Sequence, residues 1–447
     1  MNNLKAGFGR VCINPKMGIP IYGYYVPRYA EGILDDLEAN VLALSANGKT
    51  MLIVSVDNCG IDKVILDVYR AEISKEADIP KENIIIAATH THTGPSCRAN
   101  TGNDMVEEYQ KFLLEKLKEA VKIAISDLTD AKMGYGKGEA KNISFGRRYV
   151  MKDGSIKTNP GVNNPDIVKP LGYVDEEVSV LRFDRADGKQ LIFANFATHP
   201  DVVGGSKISS DWPGLTRRIV EKAIDNSLCI FVNGAQGDVN HVNVHPTGGD
   251  FNGMFNDFDD VARGYDHARH MANVVAGGIL QCFCKVNFID VDEIVCKEKI
   301  ISVPSNMPDP SQIEEAHRIN DLHLAGRDSE LPYSGMMLTT VVAEAARMVR
   351  LEHGPENFDL PITACKLGDV ALVTIPGEGF TDIGVSLKKT EGFEMVIPVG
   401  LANGYEGYFP MQDSYDEGGY EARSSPFKAG VAERIIKEGQ TIIKELL

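Results

Sequence analysis

The sequence predicts a mixed α/β fold, a central sheet flanked by helices, on three observations. Short apolar, β-branched runs of strand length recur along the whole chain. Segments of helical period lie between them, and no linker, internal repeat or low-complexity stretch interrupts the 447 residues. Hydrophobic residues make up 43% and charged residues 24%, the balance of a globular chain able to bury a full core. Length alone allows two or three units of ~150 residues. Without a linker we expect one unit over residues 1–447, with 286–447 as a second lobe of it.

The elements follow in order. Residues 51–56 and 83–88 are continuous apolar runs too short for helices and read as buried strands. Residues 105–128 form the clearest helix: Tyr109, Phe112, Leu113, Leu117, Val121 and Ala124 share one face, and Lys and Glu fill the other. Strands at 178–183, 191–197 and 230–233 come next, with a helix at 213–225 before the last of them. Helices at 259–281, 311–324 and 339–353 precede two more strands, 370–375 and 395–399, and a helix at 429–447 closes the fold. Three polar, Gly/Pro-rich stretches, 145–173, 242–256 and 402–427, read as long loops. Loops of such length inside a compact fold are usually functional.

Charge narrows the function. Lys and Arg total 46 against 63 Asp and Glu, a net charge of -17. Such a surface repels phosphate backbones and anionic headgroups, which argues against nucleic acid and membrane docking and for a small-molecule substrate. No run of ~18 apolar residues offers a membrane span. The N-terminus, MNNLKAGFGRVCINP, lacks the apolar core of a secretory signal, so the expected location is the cytoplasm. The eight cysteines contain no CxxC pair and read as free thiols of a reducing compartment. A homo-oligomer stays open.

Three segments carry chemistry. In the first, Ile84-Ile85-Ile86-Ala87-Ala88 runs out into Thr89-His90-Thr91-His92-Thr93-Gly94-Pro95. Residues two apart in extended backbone point to one side, so both imidazoles can face one pocket. Imidazole is the commonest nitrogen ligand of zinc, yet two hydrogen-bonded turn residues would fit the same pattern. The second, Leu191 to Phe196 followed by Ala197-Thr198-His199-Pro200, repeats the grammar: a strand delivers a His where proline stops the ladder. The third, Ile230-Phe231-Val232-Asn233, ends in Gly234-Ala235-Gln236-Gly237-Asp238-Val239-Asn240-His241. Asp238 either orients a ligand or caps a turn. His241 and His245 either enter the pocket or lie on a surface loop. Repetition raises the weight of the pattern, because strand ends at one sheet edge converge on one site.

Taken together, His90-Thr91-His92-Thr93-Gly94-Pro95, Asn195 to Pro200 and Asn233 to Val239 resemble the neutral ceramidase family. The likeness continues in Ile375-Pro376-Gly377-Glu378 and in the tyrosine-rich Gly400-Leu401-Ala402-Asn403-Gly404-Tyr405-Glu406-Gly407-Tyr408 with Tyr415 and Tyr420-Glu421. It spans Gly7 to Ala429. The resemblance implies an α/β catalytic unit with its metal site at strand ends. It also implies one zinc ion per chain, held by His90, His199, Glu378 and Tyr408, the last two from the second lobe. His92 would hydrogen-bond the activated water or the substrate carbonyl, Arg147 would stand at the pocket mouth with Arg148 its only competitor, and Tyr420 would stabilise the oxyanion. The implied reaction is hydrolysis of a linear amide. Two neutral imidazoles, a carboxylate and a phenol oxygen leave a coordination position open for water, the arrangement of hydrolytic zinc sites.

Three departures separate the chain from ceramidases. Their Gly-Asp-Val-Ser-Pro-Asn stands here as Gly237-Asp238-Val239-Asn240-His241-Val242. An amide cannot be a nucleophile, so Asn240 would instead donate to an oxyanion or hold a substrate hydroxyl. The arginine segment continues as Tyr149-Val150-Met151-Lys152-Asp153-Gly154 in place of a Ser-Pro pattern. The expected chain also lacks the family's C-terminal immunoglobulin-like domain and its export signal. The reading is therefore a zinc-dependent hydrolase of a carboxamide, or an ester, in a small substrate other than ceramide. Two alternatives are a metal-dependent hydrolase of a glycosidic or polyol-linked bond and an inert metal-containing binding protein. Zinc itself is an expectation, since oxygen-rich ligand sets also accept iron or manganese.

Other features admit plainer readings. Asp57-Asn58 lines the pocket edge or caps a turn, and Asp35-Asp36 is a pocket pair or a solvated turn. Asp211 caps a helix, with Trp212 in its first turn or in the pocket wall. Met336-Met337, His267 and His270 read as packing or helix surface.

Overall fold

The computed structural model describes residues 4–246 and 254–447. The middle of the expected 242–256 loop lies outside them. A mixed α/β architecture is what the sequence folds into. Its large sheet contains β1 (Lys5–Cys12), β2 (Glu38–Ala46), β3 (Lys49–Val56), β4 (Ile84–Ala88), β5 (Thr129–Glu139), β6 (Glu177–Arg185), β7 (Gln190–Phe196) and β8 (Ser227–Asn233). Their order is β8-β7-β6-β5-β1-β2-β3-β4, with β9 (Asn287–Ile289) paired to β5. Neighbours are antiparallel except at the two ends, where β3/β4 and β7/β8 run parallel.

Helices cover one face of this sheet: α1 (Lys63–Ala77) and α2 (Asp104–Ser126) lie over one half, α3 (Asp211–Ala223) and α4 (Tyr265–Phe283) over the other. The opposite face meets a second, four-stranded sheet of β10 (Ile294–Pro304), β11 (Asn357–Leu367), β12 (Val370–Thr374) and β13 (Met395–Val399). Ile53, Phe193 and Ile230 from the first sheet share one buried cluster with Leu372 and Ile397 from the second. Burial of each such side chain contributes roughly 1.5–3 kcal/mol, so this seam outweighs any single polar bridge across it. The far face of the second sheet is closed by α7 (Thr381–Lys388) and α8 (Val431–Lys444). A separate helix pair, α5 (Ile313–Leu324) and α6 (Gly335–Leu351), has its own small cluster and packs on Tyr25. Among the described residues, no helix is long and apolar enough to cross a membrane.

The large sheet curls until its ends meet. Ser55 Oγ on β3 donates to the Phe231 carbonyl on β8 at 2.6 Å, and Asn233 Nδ2 donates to the Thr89 carbonyl at 3.3 Å. The segment after β13 wedges between them: Gly400 N donates to Asn233 O and Asn403 N to Ile86 O, both at 2.8 Å. A buried ion pair locks the closure, with Arg217 of α3 donating to Asp57 at 2.6 Å and to Glu38 at 3.1 Å.

Several expectations change. Phe112 is 39% exposed, because α2 buries a narrower stripe than the periodicity suggests. The helix expected from 259 begins at Tyr265, since Asp259 turns back to accept from Arg263 at 2.7 Å. Residues 145–173 are not one long loop but include a three-stranded sheet of Arg148–Met151, Ile156–Thr158 and Ile167–Pro170. The 402–427 stretch carries the strand Tyr408–Phe409 and the short helix Tyr420–Ser424. β5 gives no strand signal because glycine alternates through it; at Gly138 a Cβ would collide with the Gly278 carbonyl of α4.

Candidate metal centre

Each ligand candidate stands where the backbone leaves a strand. His90 lies just past the end of β4, at φ 75°, a left-handed conformation that only firm local bonding sustains in a non-glycine residue. That bonding is present: its amide donates to Asn58 O at 2.8 Å, and its ring Nδ1 donates to the Cys59 carbonyl. His199 follows β7 in the same way, with Nδ1 donating to the Gln236 carbonyl at 2.9 Å. Both rings are thereby oriented, and in their neutral forms both turn a lone pair on Nε2 inward. Glu378 sits on a two-residue strand, Glu378–Gly379, paired in parallel with Tyr408–Phe409, which sets Glu378 beside Tyr408. Gly237 permits this approach, because a Cβ there would lie 2.6 Å from the Glu378 carbonyl.

Three acceptor atoms converge. His90 Nε2 and His199 Nε2 are 3.2 Å apart, and Glu378 Oε2 lies 3.3 Å from the first and 3.2 Å from the second. All three residues are 1% exposed, and Glu378 Oε2 has no hydrogen-bond partner. Lone pairs so close repel unless a cation or a proton lies among them. Ligands of a tetrahedral zinc ion at ~2.0–2.1 Å stand about 3.3–3.4 Å from one another, close to the spacing here. The donor set therefore fits such an ion. Electrostatics agree. Burial opposes charge on both His90 and Glu378, yet Cys59 and Glu378 hold His90 well above its ordinary pKa, and His90 and His199 hold Glu378 well below the carboxylate range. His199 is shifted down by burial and by Arg147. The cluster is thus built to hold positive charge. A second group, Cys59 with His90 and His92, also has its ligand atoms within reach of one another.

Around the triad, Tyr405 donates to Glu378 Oε1 at 2.9 Å, a contact the sequence reading assigned to no residue. Tyr408 stacks on His199 at 6.5 Å between ring centres and meets Tyr420 edge-on at 5.5 Å. His92 places Nε2 3.2 Å from His90 Nε2. Its Nδ1, 3.6 Å from Asp201, is buried without a hydrogen bond, and burial holds its pKa well below the ordinary histidine value. Asp201 is in turn bound by Arg263 through two contacts of 2.8 Å, and Tyr24 donates to it. A cavity of about 410 Å³ opens onto this assembly, reaching Glu378, His92, Tyr408 and Tyr420.

Three candidates differ from expectation. Arg147 is not at a mouth but 5% exposed, its guanidinium 5.4 Å from the Tyr408 ring centre and paired with Glu421 at 2.7 Å. Arg148 turns away to Ser414 and Glu417. Asn240 is not among the cavity-lining residues: the strand Val239–Asn240 pairs with Phe145–Gly146, and the amide is committed to Asn159 and to the Val242 N–H, each at 3.0 Å. His241 is buried against the Ala262 carbonyl, and His245 is exposed. Asp238 accepts from Thr381 at the start of α7, as a cap does. Asp57 and Asn58 anchor the His90 turn, and Asp35 accepts from Ser209, Ser210 and Arg218 in a structural network. Trp212 lies beneath the site, packed on Phe196 and Phe231, and donates to the His199 carbonyl at 3.4 Å.

The fold and site define an α/β protein with a buried His/His/Glu triad whose glutamate lines a pocket. Comparison with known proteins gives the family. Residues 6–279 match the neutral/alkaline non-lysosomal ceramidase, N-terminal, model. The chain belongs to the neutral/alkaline non-lysosomal ceramidase family. It is 22% identical over 433 residues to the neutral ceramidase of Pseudomonas aeruginosa, covering 87% of this chain and 63% of that one. The crystal structure of neutral ceramidase from Pseudomonas aeruginosa shares the fold at a TM-score of 0.76 and 17% identity, over 100% of this chain and 75% of that one. A structure described as ceramidase complexed with C2 matches at the same TM-score and coverage, with 18% identity.

Proposed function

We propose that this chain is a zinc-dependent hydrolase that cleaves a carboxamide, or the corresponding ester, in a small substrate other than ceramide. One observation carries the reading: three buried ligand atoms, from His90, His199 and Glu378, stand 3.2–3.3 Å apart, and Glu378 Oε2 has no hydrogen-bond partner among the described residues. Those residues, with Tyr408 as a fourth, would hold the ion. A divalent cation bound there supplies Lewis acidity for a carbonyl and brings the pKa of water towards ~7. Family membership supports the amide as the bond attacked.

The remaining work falls to the chain. His92, kept neutral by burial, is the group we assign to accept a proton from the attacking water or to bond the carbonyl oxygen. Tyr420 lines the cavity beside Tyr408, and its hydroxyl is the donor we assign to the oxygen that gains charge. One such donor is typically worth ~10²–10³ in rate. Arg147, with its guanidinium 5.4 Å from the Tyr408 ring centre and paired with Glu421, packs against the phenol. Residues 286–447 supply Glu378 and Tyr408 to a site whose histidines come from residues 1–285, which supports one catalytic unit. The lining of the cavity, with Arg98, Arg347, Arg350 and Glu406 among its residues, supports a polar substrate over a two-chain lipid.

Metal content by mass spectrometry, with turnover of a short N-acyl chromogen, tests the proposal. About one zinc per chain in the wild type, with metal and turnover both lost in His199→Ala, is the expected result. A wild type that binds no metal after zinc is added back overturns it.

A further inference from the structure

The cavity lining holds three arginines against two carboxylates, Glu406 and the triad's Glu378, in a chain of net charge -17. It carries Arg98, from the turn after His92, and Arg347 and Arg350, one helical turn apart on α6. Arg98 is matched by Asp62 at 3.1 Å. Arg347 is not matched. It is 6% exposed and spends its donors on two backbone carbonyls, Nε on Arg423 at 2.9 Å and an Nη on Asn306 at 2.6 Å. Glu344, one turn earlier on α6, is taken by Arg423. Arg350 is exposed and, like Arg347, has no ion pair with a carboxylate among the described residues. Burial, together with Arg350 and Arg423 as neighbours, shifts the Arg347 pKa down despite Glu344, as expected of a guanidinium short of counter-charge.

A buried arginine without an acid partner costs stability unless an anion completes it. The cost is paid here in the lining of a cavity that Glu378 of the triad also lines. Tyr405 connects Arg98 to the triad: the Arg98 guanidinium lies 5.8 Å from the Tyr405 ring centre, and the Tyr405 hydroxyl bonds Glu378. A substrate seated in the cavity would therefore meet both Glu378 of the triad and these guanidiniums.

We propose that Arg347 and Arg350 bind an anionic oxygen group, a carboxylate or a phosphate, carried by the substrate, so that the molecule cleaved is an acidic amide. This rests on the amide-hydrolase reading above and adds the substrate class to it. Planar guanidinium forks pair with such groups through two parallel hydrogen bonds, a geometry an ammonium cannot copy.

The test compares N-octanoylglycine with N-octanoylglycinamide, which replaces the acid by a neutral group of similar size, and with N-octanoyl-phosphoethanolamine. Release of octanoic acid is measured on the zinc-loaded wild type and on Arg350→Ala, Arg347→Gln and Arg350→Lys. The wild type is expected to favour one of the acids over the neutral amide by at least about tenfold in kcat/KM. Arg350→Ala and Arg347→Gln should cut that ratio about tenfold or more, mainly through KM, with Arg350→Lys restoring part of it. Arg318→Ala, on the exposed face of α5, should leave the ratio as it is. Preference for the glycine or the phosphoethanolamine compound identifies the anion, and either supports the proposal. Equal use of acid and neutral amide, or equal losses on both in the variants, overturns it. Should no amide be cleaved, the hydrolase reading fails. Calorimetric titration of N-octanoylglycine then decides the anion site alone: binding that both arginine variants weaken supports it, and no binding to wild type overturns it.

Discussion

The two halves of the large sheet deliver their histidines by the same device. His90 follows β4 and is steered by the carbonyl of Cys59, three residues beyond the end of β4's parallel neighbour β3. His199 follows β7 and is steered by the carbonyl of Gln236, three residues beyond the end of β7's parallel neighbour β8. Only the local backbone differs. His90 takes a left-handed φ of 75°, whereas His199 is not among the positive-φ residues and is followed by Pro200. The kink at His90 brings the His92 Nε2 to within 3.2 Å of the His90 Nε2. One half thus supplies a ligand and a catalytic candidate, the other a ligand alone. A parallel strand pair is a ready-made His holder, because its two C-terminal ends lie side by side and one can hydrogen-bond what the other presents.

The comparison breaks most severely where the two halves are joined. Arg217→Met leaves Asp57 and Glu38 without their buried partner, and we expect a loss of about 3–5 kcal/mol in urea unfolding. A loss under 1 kcal/mol would mean that the apolar seam alone holds the sheet ends together. Next in size, Tyr405→Phe removes the one hydrogen bond to Glu378 Oε1 and should weaken metal binding by ~10–100-fold in a competition titration. A smaller effect is expected from acid. Burial would raise the Glu38 pKa, but Arg217 and Arg10 together hold it below 4.5. The stability it contributes is therefore present above its unfolded value and lost as pH falls through the lower folded one. Melting curves of Glu38→Gln should be less stable near neutrality and lose part of the wild type's decline below pH ~4.5. The smallest effect sharpens the comparison. If the Cys59 carbonyl and not its thiol serves His90, Cys59→Ala keeps one metal per chain, with affinity within about twofold. Loss of the metal would transfer it to the group of Cys59, His90 and His92.

Much of the site was legible because it is written in local grammar. Strand, His, then Gly-Pro or Pro is a pattern that neighbouring residues create together, and His90, His199 and Glu378 do meet. Tyr405 escaped because nothing in Asn403-Gly404-Tyr405-Glu406-Gly407-Tyr408 says which of two tyrosines bonds a carboxylate; the strand pairing sets Tyr408 beside Glu378, yet it is Tyr405 whose hydroxyl donates to Oε1. Asn240 was assigned by alignment of motifs, and the partner that claims its amide, Asn159, lies in a hairpin read as loop. The strands missed, β1, β2, β5, β9, β10 and β11, carry glycine, alternating charge or weak apolar runs, so their pairing partners rather than their own residues define them.

By itself, then, the sequence determined seven of the strands, six of the helices and the residue types that converge, since short-range periodicity and turn chemistry act within a few residues. The tertiary structure decided that β4 and β8, at opposite ends of the sheet order, curl together, that Glu378 meets the histidines that follow β4 and β7, and that α6 adds Arg347 and Arg350 to the lining of the cavity Glu378 reaches. Those choices depend on contacts between residues hundreds of positions apart, fixed by packing across the two sheets, and no window along the chain contains them.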